Sequence, residues 1–401
     1  MRNVKQMVPL PIKAFFRRLL LTKKRYPVNL HPRSGVNRGS VLFSYLADPI
    51  KLPEDSAIVQ QHTGIWSSRE IARIFVDLGF RVDGVNWNDR AFVPKRHYEV
   101  VFDIADNLAR WETVLDRQAI KFLHLTGSNP HYAYESESAR VAALLQRRGG
   151  NYAQKRRTSS AQSVLRSLEL ADACSLVGND YTWQTYPQAQ RSKLVCVPVS
   201  TIPFPAITLE TETWGANRRE FLWFFGYGAV HKGLDLVLEV FARNPDLILN
   251  VVGNVSAEAD FMQIYERELT QLPNIHYHGF LLPTSNSFQR ILAKCFAFVA
   301  PSCSEGTSSA VANCLQAGLY PIVSRDTGVS LPPGCGLYLE NCSLQEIEDS
   351  IRAAYHLDAD SLKAEVRQTQ RYAQEHFSRT LYHRAMESFI MAVLAKHGIL
   401  P

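Results

Sequence analysis

The run Phe224-Phe225-Gly226-Tyr227-Gly228-Ala229-Val230-His231-Lys232-Gly233 links an apolar stretch to a helical one through glycines and a lysine. Glycines let the main chain approach a ligand closely, and Lys232 can reach a diphosphate. The spacing is neither G-x-x-x-x-G-K-[ST] nor G-x-G-x-x-G. An ordinary strand-to-helix turn with an exposed lysine is the plain alternative. A second run, Ala300-Pro301-Ser302-Cys303-Ser304-Glu305-Gly306-Thr307-Ser308-Ser309, passes from a strand to a helix beginning near Thr307. Free N–H groups at a helix start, with Ser and Thr hydroxyls, make an anion site. Glu305, just ahead, can accept hydrogen bonds from sugar hydroxyls. Capping by Ser or Thr accounts for the same residues without a ligand. A third run, Leu123-His124-Leu125-Thr126-Gly127, also ends a strand, and His62-Thr63-Gly64 is a glycine turn before a long helix. A lone strand-end histidine is more often a satisfied structural group than a catalyst.

These runs need a scaffold that presents strand ends and helix starts together. Apolar runs at 40–46, 82–87, 99–104, 120–125, 173–177 and 194–199 read as buried strands, and 67–78 and 136–145 as helices between them. The alternation predicts a parallel sheet with helices on its faces. The stretch 203–217, with Pro203, Pro205, Glu210, Glu212 and Gly215, reads as a linker. The pattern then restarts, with strands at 220–225, 247–252, 274–279, 296–300, 319–324 and 336–339. Helices are expected at 233–241, 257–272, 286–293 and 308–317, and the tail from Leu344 is helical in three pieces. The fold class is therefore α/β, with two doubly wound, Rossmann-like domains facing across a cleft. Ligands of such sheets sit outside the carboxyl ends of the strands. The expected divisions are a basic arm at 1–38, a first domain at 39–203 and a linker at 204–219. A second domain at 220–375 follows, then a helix at 376–401 that crosses back to the first domain.

The chain has 401 residues, 46% hydrophobic and 20% charged, enough for a core in each half. Its net charge of +6 suits anionic small molecules, a phospholipid surface or nucleic acid. The 7 cysteines are spread singly with no CxxC pair, as in a cytosolic protein with reduced thiols. The N-terminus alternates Arg17, Arg18, Lys23, Lys24 and Arg25 with short apolar groups, too broken to span a bilayer. It reads equally as a peripheral membrane contact through residues 1–26 or as a surface helix or arm. Arg147-Arg148 and Lys155-Arg156-Arg157 flank Tyr152 as a basic patch in an expected loop. A solvated face or a lipid-phosphate contact explains it better than nucleic acid.

The second half resembles the retaining glycosyltransferases of family 4, the group 1 glycosyl transferases. The resemblance runs through FFGYGAVHKGLDLVLEVF, LILNVVGN, NIHYHGFL and FVAPSCSEGTSSAVANCLQAGLYPIVSRDTGV, covering about residues 220–328. It implies a GT-B fold and retaining transfer of a sugar from a nucleotide-sugar donor to a glycan or lipid-linked acceptor. The setting would be cell-envelope polysaccharide biosynthesis on the cytoplasmic side, with no metal and no cofactor beyond the donor. We find no Asp-x-Asp pair positioned for a cation, and Asp103-Ile104-Ala105-Asp106 reads as structural. By position, Lys232 would contact the diphosphate, and Glu305, the first glutamate of the family's E-x7-E pattern, would lie near the donor sugar. His124 would answer to a first-domain histidine. Gly226, Tyr227, Gly228, Gly233, Ser304, Gly306, Thr307, Ser308, Asn313 and Gly64 would line the donor. Two positions depart from the pattern: Tyr227 stands where arginine is usual, and Asn313 where the second glutamate is expected. They favour an alternative reading, a catalytically impaired nucleotide-sugar-binding partner of another transferase. Another GT-B enzyme, an epimerase or phosphorylase, is a further rival. Acceptor choice would fall to loops near 62–66, 86–96, 126–135 and 149–160.

Overall fold

The computed structural model describes residues 27–32, 35–156, 161–202 and 218–400. The expected amphipathic arm (1–26) and the expected linker (203–217) lie outside these residues. Two compact units emerge. One gathers residues 1–130, 159–202 and 379–401, the other residues 131–158 and 203–378. Residues 131–156, which the sequence assigned to the first domain, thus make their contacts in the second unit.

In the first unit the strands are β1 (Val28–Leu30), β2 (Ser40–Tyr45), β3 (Arg81–Asn86), β4 (Val100–Asp103), β5 (Ile120–Leu125), β6 (Ala173–Val177) and β7 (Leu194–Val197). They form one sheet in the order β1-β3-β2-β4-β5-β6-β7. All pairings are parallel except β1 with β3, an antiparallel edge that the sequence reading did not foresee. β2 is buried along its whole length, as its unbroken apolar run requires of a strand covered on both faces. The helix Thr63–Asp77 starts one turn earlier than its apolar period suggests. His62 caps it, Nδ1 accepting from the Ile65 N–H at 3.3 Å. Phe75 from this helix packs on Phe102 and Phe122 of β4 and β5, with ring centroids 5.9 and 6.0 Å apart. The terminal helix Arg379–Lys396 packs on the same sheet through Phe389, 5.7 Å from Phe122. Asp103 is structural: fully buried, it accepts from Ser44 Oγ at 2.8 Å and the Asn107 N–H at 2.7 Å.

The second unit holds β8 (Glu220–Phe224), β9 (Ile248–Val252), β10 (Ile275–Tyr277), β11 (Ala297–Ala300), β12 (Tyr320–Ser324) and β13 (Leu337–Leu339). The sheet is parallel throughout, in the order β10-β9-β8-β11-β12-β13. The chain winds outward one way from β8 and the other way from β11. The boundary between β8 and β11 is therefore a topological switch point, where loops leave to opposite faces and open a crevice. One expected helix, 257–272, divides into Ala259–Ile264 and Glu266–Thr270. At the break, buried Tyr265 donates its hydroxyl to Glu239 at 2.7 Å. Among the described residues no helix is long and apolar enough to cross a membrane.

The segment 131–156 is the unexpected part of this unit. Its helix, Pro130–Arg148, is longer than predicted. Arg147 pairs with Asp235 at 2.7 Å and Glu239 at 3.1 Å, and Arg148 with Glu268 at 2.9 Å. Tyr152 is buried and donates to Glu258 at 2.8 Å, and Lys155 pairs with Asp260 at 2.5 Å. The basic patch is thus a docked segment, not a solvated face. Each of its cations from Arg147 to Lys155 meets a carboxylate that lies far away in sequence.

Candidate functional site

The two glycine- and serine-rich junctions follow β8 and β11, neighbouring parallel strands, so they leave the sheet at the same edge. The switch point brings them into contact. Gly233 has φ +71°, and a Cβ there would stand 2.5 Å from the Pro301 carbonyl oxygen. Only glycine admits both that backbone and that approach. The Cys303 N–H donates to the His231 carbonyl at 2.9 Å, and His231 Nε2 lies 2.5 Å from the Ser304 carbonyl oxygen. Lys232 Nζ makes an ion pair with Glu305 Oε1. His231, Lys232 and Gly233 therefore meet Pro301, Cys303, Ser304 and Glu305, and Gly226, Tyr227 and Gly228 lie in the same turn before them. Gly306, Thr307 and Ser308 lead from there into the helix Ser309–Gln316.

Charge dominates this site. Lys232 is 7% exposed, its ammonium 5.3 Å from the centroid of the Phe225 ring. Burial, then the like charge of Arg156, push its amine well below the ordinary range. His231 is 4% exposed, and burial lowers its pKa to about 4. Its ring is therefore neutral at pH 7, and Nε2–H donates to Ser304 while Nδ1 faces the Cys303 Sγ at 3.7 Å. Burial holds that thiol protonated, with a pKa of about 12. Glu137 Oε2 lies 3.5 Å from the same Nδ1. Burial opposes ionisation of Glu137, but the neighbouring His231 ring and hydrogen bonds from the Lys155 N–H and Gln154 hold its carboxyl below the usual range.

The main-chain donors of the first junction are already engaged. Gly228, at φ +91°, donates its N–H to Glu258 Oε1 at 2.7 Å, and Ala229 donates to the same atom at 3.0 Å. This buried carboxylate occupies the position an anion would take in the turn. The second junction differs: the first N–H groups of the helix Ser309–Gln316 have no intrahelical acceptor. Ser308 stands at its N-cap with no side-chain cap bond. Asn313 is buried in the second turn of this helix. Tyr227 is 39% exposed at the lip of the first junction.

His124 and Gly64 belong to the other unit. His124 is 1% exposed, with Nδ1 2.8 Å from Ser175 Oγ and Nε2 3.3 Å from Tyr382 Oη. Both ring nitrogens have partners, as the structural alternative requires. Gly64 lies in the first turn of the helix Thr63–Asp77, against the His62 ring. Sequence reasoning missed Glu137, Glu258 and Arg156. Only Arg156 carried a signal, as part of the basic run after Tyr152.

Residues 208–372 match the family described as Glycosyl transferases group 1. No curated protein matches the chain in sequence. Among solved structures, a sucrose-phosphate synthase from Thermosynechococcus elongatus aligns at a TM-score of 0.62 and 11% identity, over 89% of this chain and 99% of that one. Anabaena HepE in complex with UDP and glucose aligns at 0.51 and 12% identity, with the same coverage. S. aureus TarM, in complex with UDP and sugar ligands, aligns at 0.47 and 10% identity over 73% of this chain, which spans only 55% of that protein's length. The first two carry the fold argument. The chain has the α/β architecture of the GT-B glycosyltransferases, two Rossmann-like units on sheets that are parallel except at the β1 edge, and its second unit bears the sequence pattern of the group 1 glycosyl transferases.

Proposed function

We propose that the chain is a glycosyltransferase that moves a sugar from a nucleotide-sugar donor to a glycan or lipid-linked acceptor, with retention of configuration and without a metal. The observation that carries this reading is the meeting of Lys232, Glu305 and the start of the helix Ser309–Gln316 at the switch point of the second sheet. Glycosyl transfer builds negative charge on the leaving diphosphate while positive charge grows on the sugar. Fixed cations and a helix start placed at the leaving group lower that barrier. Lys232 supplies the cation and the helix supplies N–H donors. Glu305, released from Lys232 when phosphate takes its place, is free to accept from sugar hydroxyls.

The match to the group 1 family and the likeness to a fold neighbour holding UDP and glucose support a nucleoside diphosphate donor. The test is transfer of radiolabelled sugar from UDP-, GDP- and dTDP-sugars to glycan and lipid-linked acceptors, beside calorimetric binding of the same donors. Transfer from one donor class is the expected result. Binding without transfer would favour the second reading, an impaired partner of another transferase, to which Tyr227, Asn313 and the occupied N–H groups of Gly228 and Ala229 point. Neither binding nor transfer would end both readings.

A further inference from the structure

A donor diphosphate carries more negative charge than Lys232 can balance, because Lys232 is already matched by Glu305. Glu137 and Glu258, both buried beside the first junction, add further negative charge. A site built this way repels a diphosphate unless a second cation stands there. The turn itself offers none: Tyr227, between its two glycines, is uncharged at neutral pH, and His231 is neutral.

Arg156 fills this gap. Its aliphatic stem crosses the glycine turn, since a Cβ on Gly228 would lie 2.8 Å from Arg156 Cδ and 2.9 Å from Cγ. Its main chain is fixed from below: the N–H groups of Lys155 and Arg156 both donate to Glu137 Oε1, at 3.1 and 3.3 Å. Glu137 in turn faces His231, the residue before Lys232. Tyr152 and Lys155 anchor the preceding residues to Glu258 and Asp260. The segment is thus held at several points; Arg156 keeps contact with solvent, while burial, partly offset by the charges of Glu137 and Glu258, lowers the pKa of its guanidinium. Among the described residues its guanidinium makes no hydrogen bond and no ion pair. Arg147, Arg148 and Lys155 in the same segment all have carboxylate partners. A guanidinium positioned by its neighbours but left without an acceptor is prepared for a ligand. Its planar fork of donors suits phosphate oxygens.

We propose that Arg156 is the second cation of the donor site, binding the same diphosphate as Lys232. The inference rests on the donor-site reading above and goes beyond it. The cation comes from residues 131–156, a segment far from the glycine turn in sequence, and stands beside Tyr227. The segment therefore completes the anion site as well as packing on the unit.

The test is calorimetric titration of the full chain with UDP, GDP and uridine, together with thermal melting. Arg156→Ala is expected to weaken nucleoside diphosphate binding on the order of tenfold or more, as loss of a charge-assisted phosphate contact does. Its melting temperature and any affinity for uridine should stay at parent values. Tyr227→Arg, which puts a guanidinium on the neighbouring residue of the turn, should restore diphosphate binding in the Arg156→Ala background. Equal diphosphate affinity in parent and Arg156→Ala would overturn the proposal and leave the donor-site reading standing. A lowered melting temperature with weaker binding that Tyr227→Arg fails to restore would also overturn it, by showing that the role is structural. Failure of the parent chain to bind either nucleoside diphosphate would overturn the donor-site reading, and this inference with it.

Discussion

His124 ends a strand in the first unit, and His231 lies in the turn after a strand in the second. Both are almost fully buried, and burial brings both to a pKa of about 4. Their surroundings share nothing else. His124 meets the hydroxyls of Ser175 and Tyr382 and the rings of Tyr45 and Phe102. His231 lies among Glu137, Lys232 and Glu305, with Arg156 close by. A lowered histidine pKa therefore tracks burial first and does not by itself mark chemistry. Chemistry needs charges that burial leaves close together, and of these two histidines only His231 has them.

Activity separates the two histidines most widely. Lys232→Ala and Glu305→Gln should each lower sugar transfer on the order of 100-fold, in line with loss of leaving-group or donor-sugar contacts. His124→Gln, whose amide can still meet Ser175 and Tyr382, should keep transfer near the parent rate. Initial rates with radiolabelled donor measure all three, and a melting curve for each confirms folding. Melting matters most for Lys232→Ala, because removing one member of a buried ion pair leaves the other uncompensated. An equal loss in His124→Gln would erase the distinction between the two histidines.

A second test uses acid. His124 titrates near 6.5 when unfolded and near 4 when folded, so the unfolded chain binds its proton first as pH falls. The stability it contributes is complete above about pH 6.5 and lost progressively toward pH 4, on the order of 3 kcal/mol. His231 works in the same direction. Urea unfolding at pH 7 and pH 4.5 should show a smaller fall in stability for His124→Gln than for the parent, with a remainder that includes His231. An unchanged fall would mean that His124 does not carry its buried neutral state into the folding equilibrium.

The sequence made one of these two regions legible and left the other open. The Gly226–Gly233 and Ser304–Ser309 junctions could be read because glycine, serine and a lone lysine between a strand and a helix have few uses. Their contact could not be read, since it depends on β8 and β11 being neighbours, a property of strand order. Apolar runs predicted the sheets well, because strands covered on both faces have few polar residues to blur them. β1 was missed because three residues of an edge strand carry no period. Residues 131–156 were misread for a different reason: a row of cations looks the same whether water or distant carboxylates surround it. Asp235, Glu239, Glu258, Asp260 and Glu268, which pair with that segment, are scattered over residues with no motif.

The smallest expected effect lies on the quiet side of the comparison. Tyr382→Phe removes the hydroxyl 3.3 Å from His124 Nε2 and keeps the ring that packs edge-on against Trp66, at 5.7 Å between centroids. Packing is preserved, so the cost should be the hydroxyl's hydrogen bonds to His124 and Ser67, on the order of 1–2 kcal/mol in urea unfolding at pH 7. Transfer should not change, because no charge of the second unit depends on this hydroxyl. A cost several times larger would show that Nε2 cannot remain buried without its partner. His124 would then be held in place by its polar contacts more than by the aromatic rings around it. A fall in transfer without a fall in stability would give this histidine a part in the chemistry, and the contrast with His231 would fail.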